Sequence, residues 1–195
     1  MLSPTTELEA VNIILDYIGD PPVNSLADIE GSEASRALSL LRETTRRFQI
    51  RGYSFNTEYV ILRVDSNGLV AVPPNTLQIQ PLDNRYILRG NRLYDRLDNT
   101  RIITEDVKAK LIQGYNFDEL PEPARYLIAV TAARKYAVRA LGETSLIQMI
   151  QQDEQSATRE FMEFELKQER PYLFTDLDHS IIERDTAPQE RGGLF

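Results

Sequence analysis

The only histidine of the chain, His179, is its most obvious candidate for acid–base chemistry. It stands in the sequence Asp176-Leu177-Asp178-His179-Ser180, which contains the three residue types of a Ser-His-Asp triad. Neighbours in sequence rarely face each other as the members of a triad must, and this stretch lies in a predicted tail. One histidine also cannot build a multi-histidine metal site. We therefore interpret His179 as an exposed or interface residue.

Three glutamates, Glu160, Glu163 and Glu165, lie close together on a predicted helix. Two carboxylates that flank a sugar can cleave its glycosidic bond, so the group keeps a polysaccharide hydrolase open as an alternative function. A run of charge on a helix is more often a solvated face. The same residues therefore also predict a surface that contacts water or another subunit.

Asp95, Asp98 and Asp106 flank predicted strands and could bind calcium, but their spacing matches no known calcium loop. The chain contains no GxxxxGK[ST], GxGxxG or GxSxG motif, which removes the usual phosphate-binding loops and the nucleophile elbow. The sequence thus predicts no catalytic residue, no cofactor and no metal ion.

One predicted helix carries five arginines: Arg36, Arg42, Arg46, Arg47 and Arg51. They could contact phosphate groups, or they could pair with acidic helices of this or a neighbouring subunit. The chain has 22 basic and 30 acidic residues, hence a net charge of −8, which argues against non-specific binding along a nucleic acid. We therefore expect ion pairing. The candidates for a subunit interface are Arg36, Arg42, Arg46, Arg47, Glu160 and Glu163.

The elements that position these residues begin with a helix between Thr6 and Gly19. Thr6 and Glu9 form a capping box, and Gly19 suits the left-handed position that ends a helix. A second helix is predicted from about Gly31-Ser32 to Gly52. Helix three is predicted at residues 122–141. Helix four is predicted from a cap at Thr144 or Ser145 to residue 169, with Met149 and Ile150 on its apolar stripe.

Residues between the two helical pairs favour strands. The predicted strands are residues 55–64, 69–72, 86–89, 92–95 and 107–115, with turns at Asn67-Gly68 and Gly90-Asn91. Pro73, Pro74 and Pro81 confine the segments around them to sheet edges or loops. These signals predict a small antiparallel sheet or sandwich.

Taken together, the elements predict an α+β protein: an antiparallel four-helix bundle with an inserted antiparallel β-domain and an extended C-terminal arm. The predicted domains are residues 1–52 with 118–170, residues 53–117, and residues 171–195. Leu15, Leu38, Leu41 and Leu127 are predicted to be buried in the bundle. The chain has no cysteine, no apolar run long enough to cross a membrane and no signal-peptide pattern, which predicts a protein that starts out cytosolic.

Several segments resemble the tail tubular protein A family, the tail adaptors of short-tailed bacteriophages. The matching segments are LEAVN at 8–12, IGDPPV at 18–23, IRGYSFN at 50–56 and DELPE at 118–122, with Arg125-Tyr126. The resemblance implies a structural protein that forms a dodecameric ring in the virion tail, between the portal protein and the tail nozzle (tubular protein B). By the same resemblance, DNA passes through the ring without specific binding, no membrane is involved, and the protein is assembled in the host cytoplasm.

The resemblance also implies that the C-terminal arm reaches along the portal. Apolar residues in a segment that cannot build its own core predict a surface that orders on docking. The candidates for the portal interface are Tyr172, Phe174, Leu177, Ile181, Ile182, Leu194 and Phe195. Besides the hydrolase, a small host-range or DNA-binding accessory protein remains a weaker alternative.

Overall fold

Four helices and five strands make up the part of the chain that the computed structural model describes, residues 3–27, 29–140 and 142–169. The helices are α1 (Glu7–Ile18), α2 (Glu33–Gln49), α3 (Glu122–Ala140) and α4 (Thr144–Glu169). The strands are β1 (Thr57–Leu62), β2 (Thr76–Pro81), β3 (Tyr86–Arg89), β4 (Arg92–Asp95) and β5 (Val107–Gln113). The predicted α+β class is confirmed.

The ends of α1 follow directly from the sequence. The Thr6 side chain accepts from the Glu9 backbone N–H, and the Glu9 carboxylate accepts from the Thr6 N–H at 2.7 Å, which completes the predicted capping box. Gly19 has φ +78°, a left-handed conformation that glycine adopts without strain. Helix α2 begins after Ser32, whose side chain caps it, and ends three residues before Gly52.

The four helices share one hydrophobic core. Helix α3 lies at the centre of this core. From Ala124 to Ala137, every side chain except Tyr126 is at least partly buried. Leu15, Leu41 and Leu127 are buried in this core as predicted, whereas Leu38 is only partly buried and Leu40 takes the inward position.

The strands form a three-stranded antiparallel sheet in the order β1-β5-β2 and a separate hairpin of β3 and β4. They enclose a second, smaller core around Leu62, Val70, Leu93 and Leu111. The hairpin lies at the predicted residues on both sides of Gly90-Asn91. β2, which ends at Pro81, is an edge strand, the position that proline favours in a sheet.

Three sequence-based expectations need correction. Residues 69–72 form isolated bridges from Val70 to Val64 and from Ala71 to Arg92 rather than a strand. Met149 was expected on the apolar stripe of α4, but its side chain is 49% exposed. The neighbouring Ile150 is buried in the core instead. Thr144 and Ser145 are the first residues of α4 rather than its cap, and the Ser145 hydroxyl donates to Glu143.

Candidate assembly surfaces and the junction between them

Two buried amide side chains join the helices to the sheet. Gln49, 1% exposed at the end of α2, donates from Nε2 to the Tyr115 carbonyl at 2.9 Å and accepts from the Tyr115 N–H at 2.8 Å. Asn56, which is fully buried, donates from Nδ2 to the carbonyls of Gln49 and Gln113, each at 2.9 Å. The segment that leads from α2 into β1 and the segment that follows β5 are therefore hydrogen-bonded to each other.

Helix α4 is attached to the same junction. The Glu165 carboxylate accepts from the Ser54 N–H and from the Ser54 hydroxyl, each at 2.9 Å. Beside it, the Phe161 ring packs edge-on against Tyr53 and Phe48, with centroid distances of 4.8 and 5.0 Å. Glu165 was expected on a solvated glutamate face. It is buried instead, because its carboxylate accepts the hydrogen bonds of Ser54 in the segment that connects α2 to β1.

The candidate arginines on α2 lie on the surface, and three of them pair within the chain. Arg42 makes a two-pronged ion pair with Glu7 of α1, both contacts at 2.9 Å. Arg36 pairs with Glu33 at 2.6 Å, and Arg47 pairs with Glu43 at 3.0 Å, both along the helix. Exposed pairs of this kind contribute only about 0.2–1 kcal/mol each.

Arg46 differs from the other three arginines. It is exposed, and no carboxylate of the described residues lies within ion-pair distance of it. Glu160 and Glu163 of α4 are likewise exposed, with no ion pair to the described part of the chain. These three charges are therefore the strongest candidates for contacts beyond the described residues.

Tyrosine–carboxylate pairs connect the helices laterally. The Tyr17 hydroxyl donates to Asp153 at 2.7 Å, and the Tyr136 hydroxyl donates to Glu33. Burial and the neighbouring Glu33 carboxylate raise the pKa of Tyr136 to about 12, and the Tyr136 hydroxyl lowers the pKa of Glu33. The first pair connects α1 to α4, and the second connects α3 to α2.

The three aspartates considered as calcium ligands have structural roles instead. Asp95 is 2% exposed, pairs with Arg85 and accepts from the N–H groups of Leu97 and Asp98. Burial alone would raise the pKa of Asp95, but the hydrogen bonds prevail and lower it. Asp98 also pairs with Arg85, and Asp106 accepts from the Val64 N–H. No cluster suited to a metal ion occurs within residues 3–27, 29–140 and 142–169.

One side of the three-stranded sheet is open to solvent, and we call it the outer face. Directly opposed residues of antiparallel strands point to the same side, so the pairings place Ile61 beside Lys108 and Tyr59 beside Lys110. On the other side of β5, Gln80 opposes Lys110, and Leu82 follows opposite Lys108. The sequence pattern alone does not indicate this surface, although Tyr59 and Ile61, like Lys108 and Lys110, recur at every second position of their strands.

The candidates for the portal interface, from Tyr172 to Phe195, lie outside the described residues, as does His179. The junction residues Gln49 and Asn56 were also missed from the sequence. Their partners Tyr115 and Gln113 are 66 and 57 positions away along the chain, and no local pattern reports such a contact.

Comparison with known proteins supplies the decisive observation, since the tail tubular protein family matches residues 8–171. The chain belongs to the tail tubular protein family. Tail tubular protein A of Klebsiella phage KP34 is 27% identical over 151 residues, which cover 76% of this chain and 81% of the relative. A chain from the virion of a native gene transfer agent particle is 15% identical with a TM-score of 0.26, covering 76% of this chain and 94% of that chain.

Family membership identifies the chain as a structural protein of a phage tail that assembles with other virion components. The surfaces described above are therefore of interest as contacts with those components. In the described part of the chain, no helix is both long enough and apolar enough to span a membrane.

Proposed function

We propose that this protein is the ring adaptor of a short-tailed phage, located between the portal protein and the tail nozzle and lining the channel through which DNA leaves. The family match over residues 8–171 carries the proposal. We further propose a dodecameric ring, assembled in the host cytoplasm, in which the subunit has a structural and not a catalytic role. The acidic balance of the chain supports passage of DNA, because a net charge of −8 does not retain a polyanion.

For the subunit we propose an antiparallel four-helix bundle formed by residues 1–52 and 118–170, with residues 53–117 as an inserted β-domain. Hydrogen bonds support the helix directions. Thr5 and Glu122 connect the beginnings of α1 and α3, whereas Glu33 at the beginning of α2 meets Tyr136 near the end of α3. The separate cores of the helices and the strands support the domain division.

For the ring we propose that Arg46, with Arg36, Arg42 and Arg47, faces Glu160 and Glu163 of the next subunit. Exposure of all six residues supports this arrangement, and the lack of an ion pair for Arg46, Glu160 and Glu163 among the described residues supports it further. A head-to-tail contact of this kind closes into a ring when its rotation allows.

A charge swap tests the ring contact. Arg46→Glu should prevent rings on the portal, and adding Glu160→Arg in the same chain should restore them. Arg63→Glu, an exposed charge reversal in the strand region, is the control and should leave rings intact. Rings that tolerate Arg46→Glu would contradict the proposed interface.

For the portal contact we propose the arm, residues 171–195, through Tyr172, Phe174, Leu177, Ile181, Ile182, Leu194 and Phe195. Its apolar residues support the proposal, because a short segment of this kind gains order when it docks.

A chain that ends at Pro171 tests the arm. Binding to purified portal should fall to background while the urea midpoint of the helical core stays unchanged. Serine at Tyr172, Phe174 and Leu177 should act like the truncation, whereas serine at Thr186 and Gln189 should act like the natural sequence. Failure of the full chain to bind the portal would contradict the adaptor function itself; binding by the truncated chain would contradict only the arm.

A further inference from the structure

The outer face of the sheet presents large apolar side chains to solvent around two cations. Tyr59 is 75% exposed, Ile61 60% and Leu82 63%. Ile61 of β1, Lys108 of β5 and Leu82, the residue after β2, form a row that spans about 10 Å at the usual strand spacing. Tyr59, Lys110 and Gln80 form the next row. An open sheet face with this composition is suited to a partner that carries apolar and acidic side chains.

Among the described residues, no strand pairs with the edge of β1 that faces away from β5. β1 is an outer strand of the sheet, and its sequence, TEYVIL, contains neither proline nor lysine. Proteins usually block such an edge, because its free N–H and C=O groups recruit another strand. The unblocked edge and the apolar face together favour an extended segment as the occupant.

One segment of this chain has the matching chemistry. Residues 171–195 contain five acidic and two basic residues, and their apolar side chains alternate with acids around Leu177. Asp176 and Asp178 on either side of Leu177 provide two carboxylates for two lysines. The charge of the segment is therefore opposite to that of the face.

The position of the end of α4 makes the contact reachable within one molecule. Glu165 binds Ser54, three residues before β1 begins, and Phe161 packs on Tyr53. The neighbouring Gly52 lies against Ile112, on the side of β5 that also carries Lys108 and Lys110. The chain thus leaves α4 near the outer face, and 25 extended residues could span about 80 Å.

We propose that in the free subunit residues 171–195 bind the outer face of the sheet of their own chain. Lys108 and Lys110 pair with carboxylates of the segment, and Tyr59, Ile61 and Leu82 contact its apolar side chains. The contact shields the edge of β1 until the segment is engaged elsewhere. This inference does not depend on the portal, so it can fail or hold separately from the proposed function.

Paramagnetic broadening in the full-length chain tests the contact. The chain has no cysteine, so a nitroxide can be placed at a single Gln80→Cys on the outer face. The control carries the label at Gln148→Cys, an exposed site near the beginning of α4. Amide signals of residues 172–182 should broaden with the first label and not with the second. Equal broadening from both labels, or none, would overturn the proposal.

Two further experiments test the charge pairing and whether the contact forms within one molecule. Lys108→Glu with Lys110→Glu should remove the broadening, whereas arginine at both positions should keep it; broadening that survives charge reversal overturns the proposed pairing. Spin-labelled unenriched chain mixed with isotope-enriched unlabelled chain should give no broadening. Broadening in that mixture would assign the face to a second copy and overturn the intramolecular contact.

Discussion

The helical and strand regions of this subunit bury their apolar residues in different ways. Among the described residues, the helical core contains 22 buried apolar residues around α3, whereas the strand core contains nine. Helix α3 is surrounded on most sides, but the three-stranded sheet leaves Tyr59, Ile61 and Leu82 exposed on its outer face. The helical region therefore buries more of its apolar residues, whereas the strand region leaves several large apolar side chains of one sheet face in solvent.

The junction compensates for this imbalance. Gln49, Asn56 and Glu165 connect the small strand core to the large helical one through buried hydrogen bonds. These hydrogen bonds hold the strand region in a fixed orientation on the helical region. The following predictions test the comparison, from the largest expected effect to the smallest.

Removing the aromatic ring at the helical side of the junction should have the largest effect. Phe161→Ala should cost about 3–5 kcal/mol in the free energy of unfolding, because the fully buried ring leaves a cavity against Phe48 and Tyr53. Urea unfolding measures this cost. Phe164→Ala, at a half-buried ring on the same helix, is the matched control; an equal cost for both would contradict the assignment of the core.

A cavity in the strand core should act locally. Leu111→Ala should cost about 2–5 kcal/mol, since Leu111 is fully buried. Amide hydrogen exchange should then accelerate in β1 and β5 while α3 keeps most of its protection. Uniform acceleration across both regions would show that they unfold as one unit.

Loss of the buried amide at the junction should have a smaller effect. Asn56→Ala leaves the carbonyls of Gln49 and Gln113 without this donor, which should cost about 1–3 kcal/mol. Asn75→Ala is the control, because Asn75 is exposed and the one hydrogen bond of its side chain within the described residues is a long one, 3.4 Å, to the Gly114 carbonyl. Thermal unfolding separates the two, and equal midpoints would show that the junction is not held by Asn56.

The smallest predicted effect is a pH dependence confined to the helices. Tyr136 keeps its proton in the folded state to about pH 12, whereas the unfolded side chain loses it near pH 10. Its contribution to stability is therefore complete below pH 10 and is lost as the pH rises toward about 12. Tyr136→Phe should flatten the alkaline dependence of urea unfolding; an unchanged slope in this variant would refute the assignment.

Local signals in the sequence accounted for the elements with strong boundaries. The capping box at Thr6 fixed α1, and the two-residue turn at Gly90-Asn91 fixed β3 and β4 to the residue. Each signal depends on neighbours within a few positions, so the sequence alone is sufficient.

Contacts between distant residues could not be predicted in the same way. The helical period did not distinguish Leu38 from Leu40, because the choice depends on where α3 lies. Glu165 looked like part of a charged surface, since its partner Ser54 is 111 positions away. Charge and family resemblance suggested the subunit and portal interface candidates. The outer face could be recognised only from the strand register, which shows which residues lie side by side.

Native mass spectrometry of the full chain with purified portal tests the central claim most directly. The adaptor function predicts single subunits in dilute solution and a closed ring of this chain on each portal, twelve copies by the proposed stoichiometry. A stable two-fold dimer that persists on dilution and leaves the portal unoccupied would contradict it.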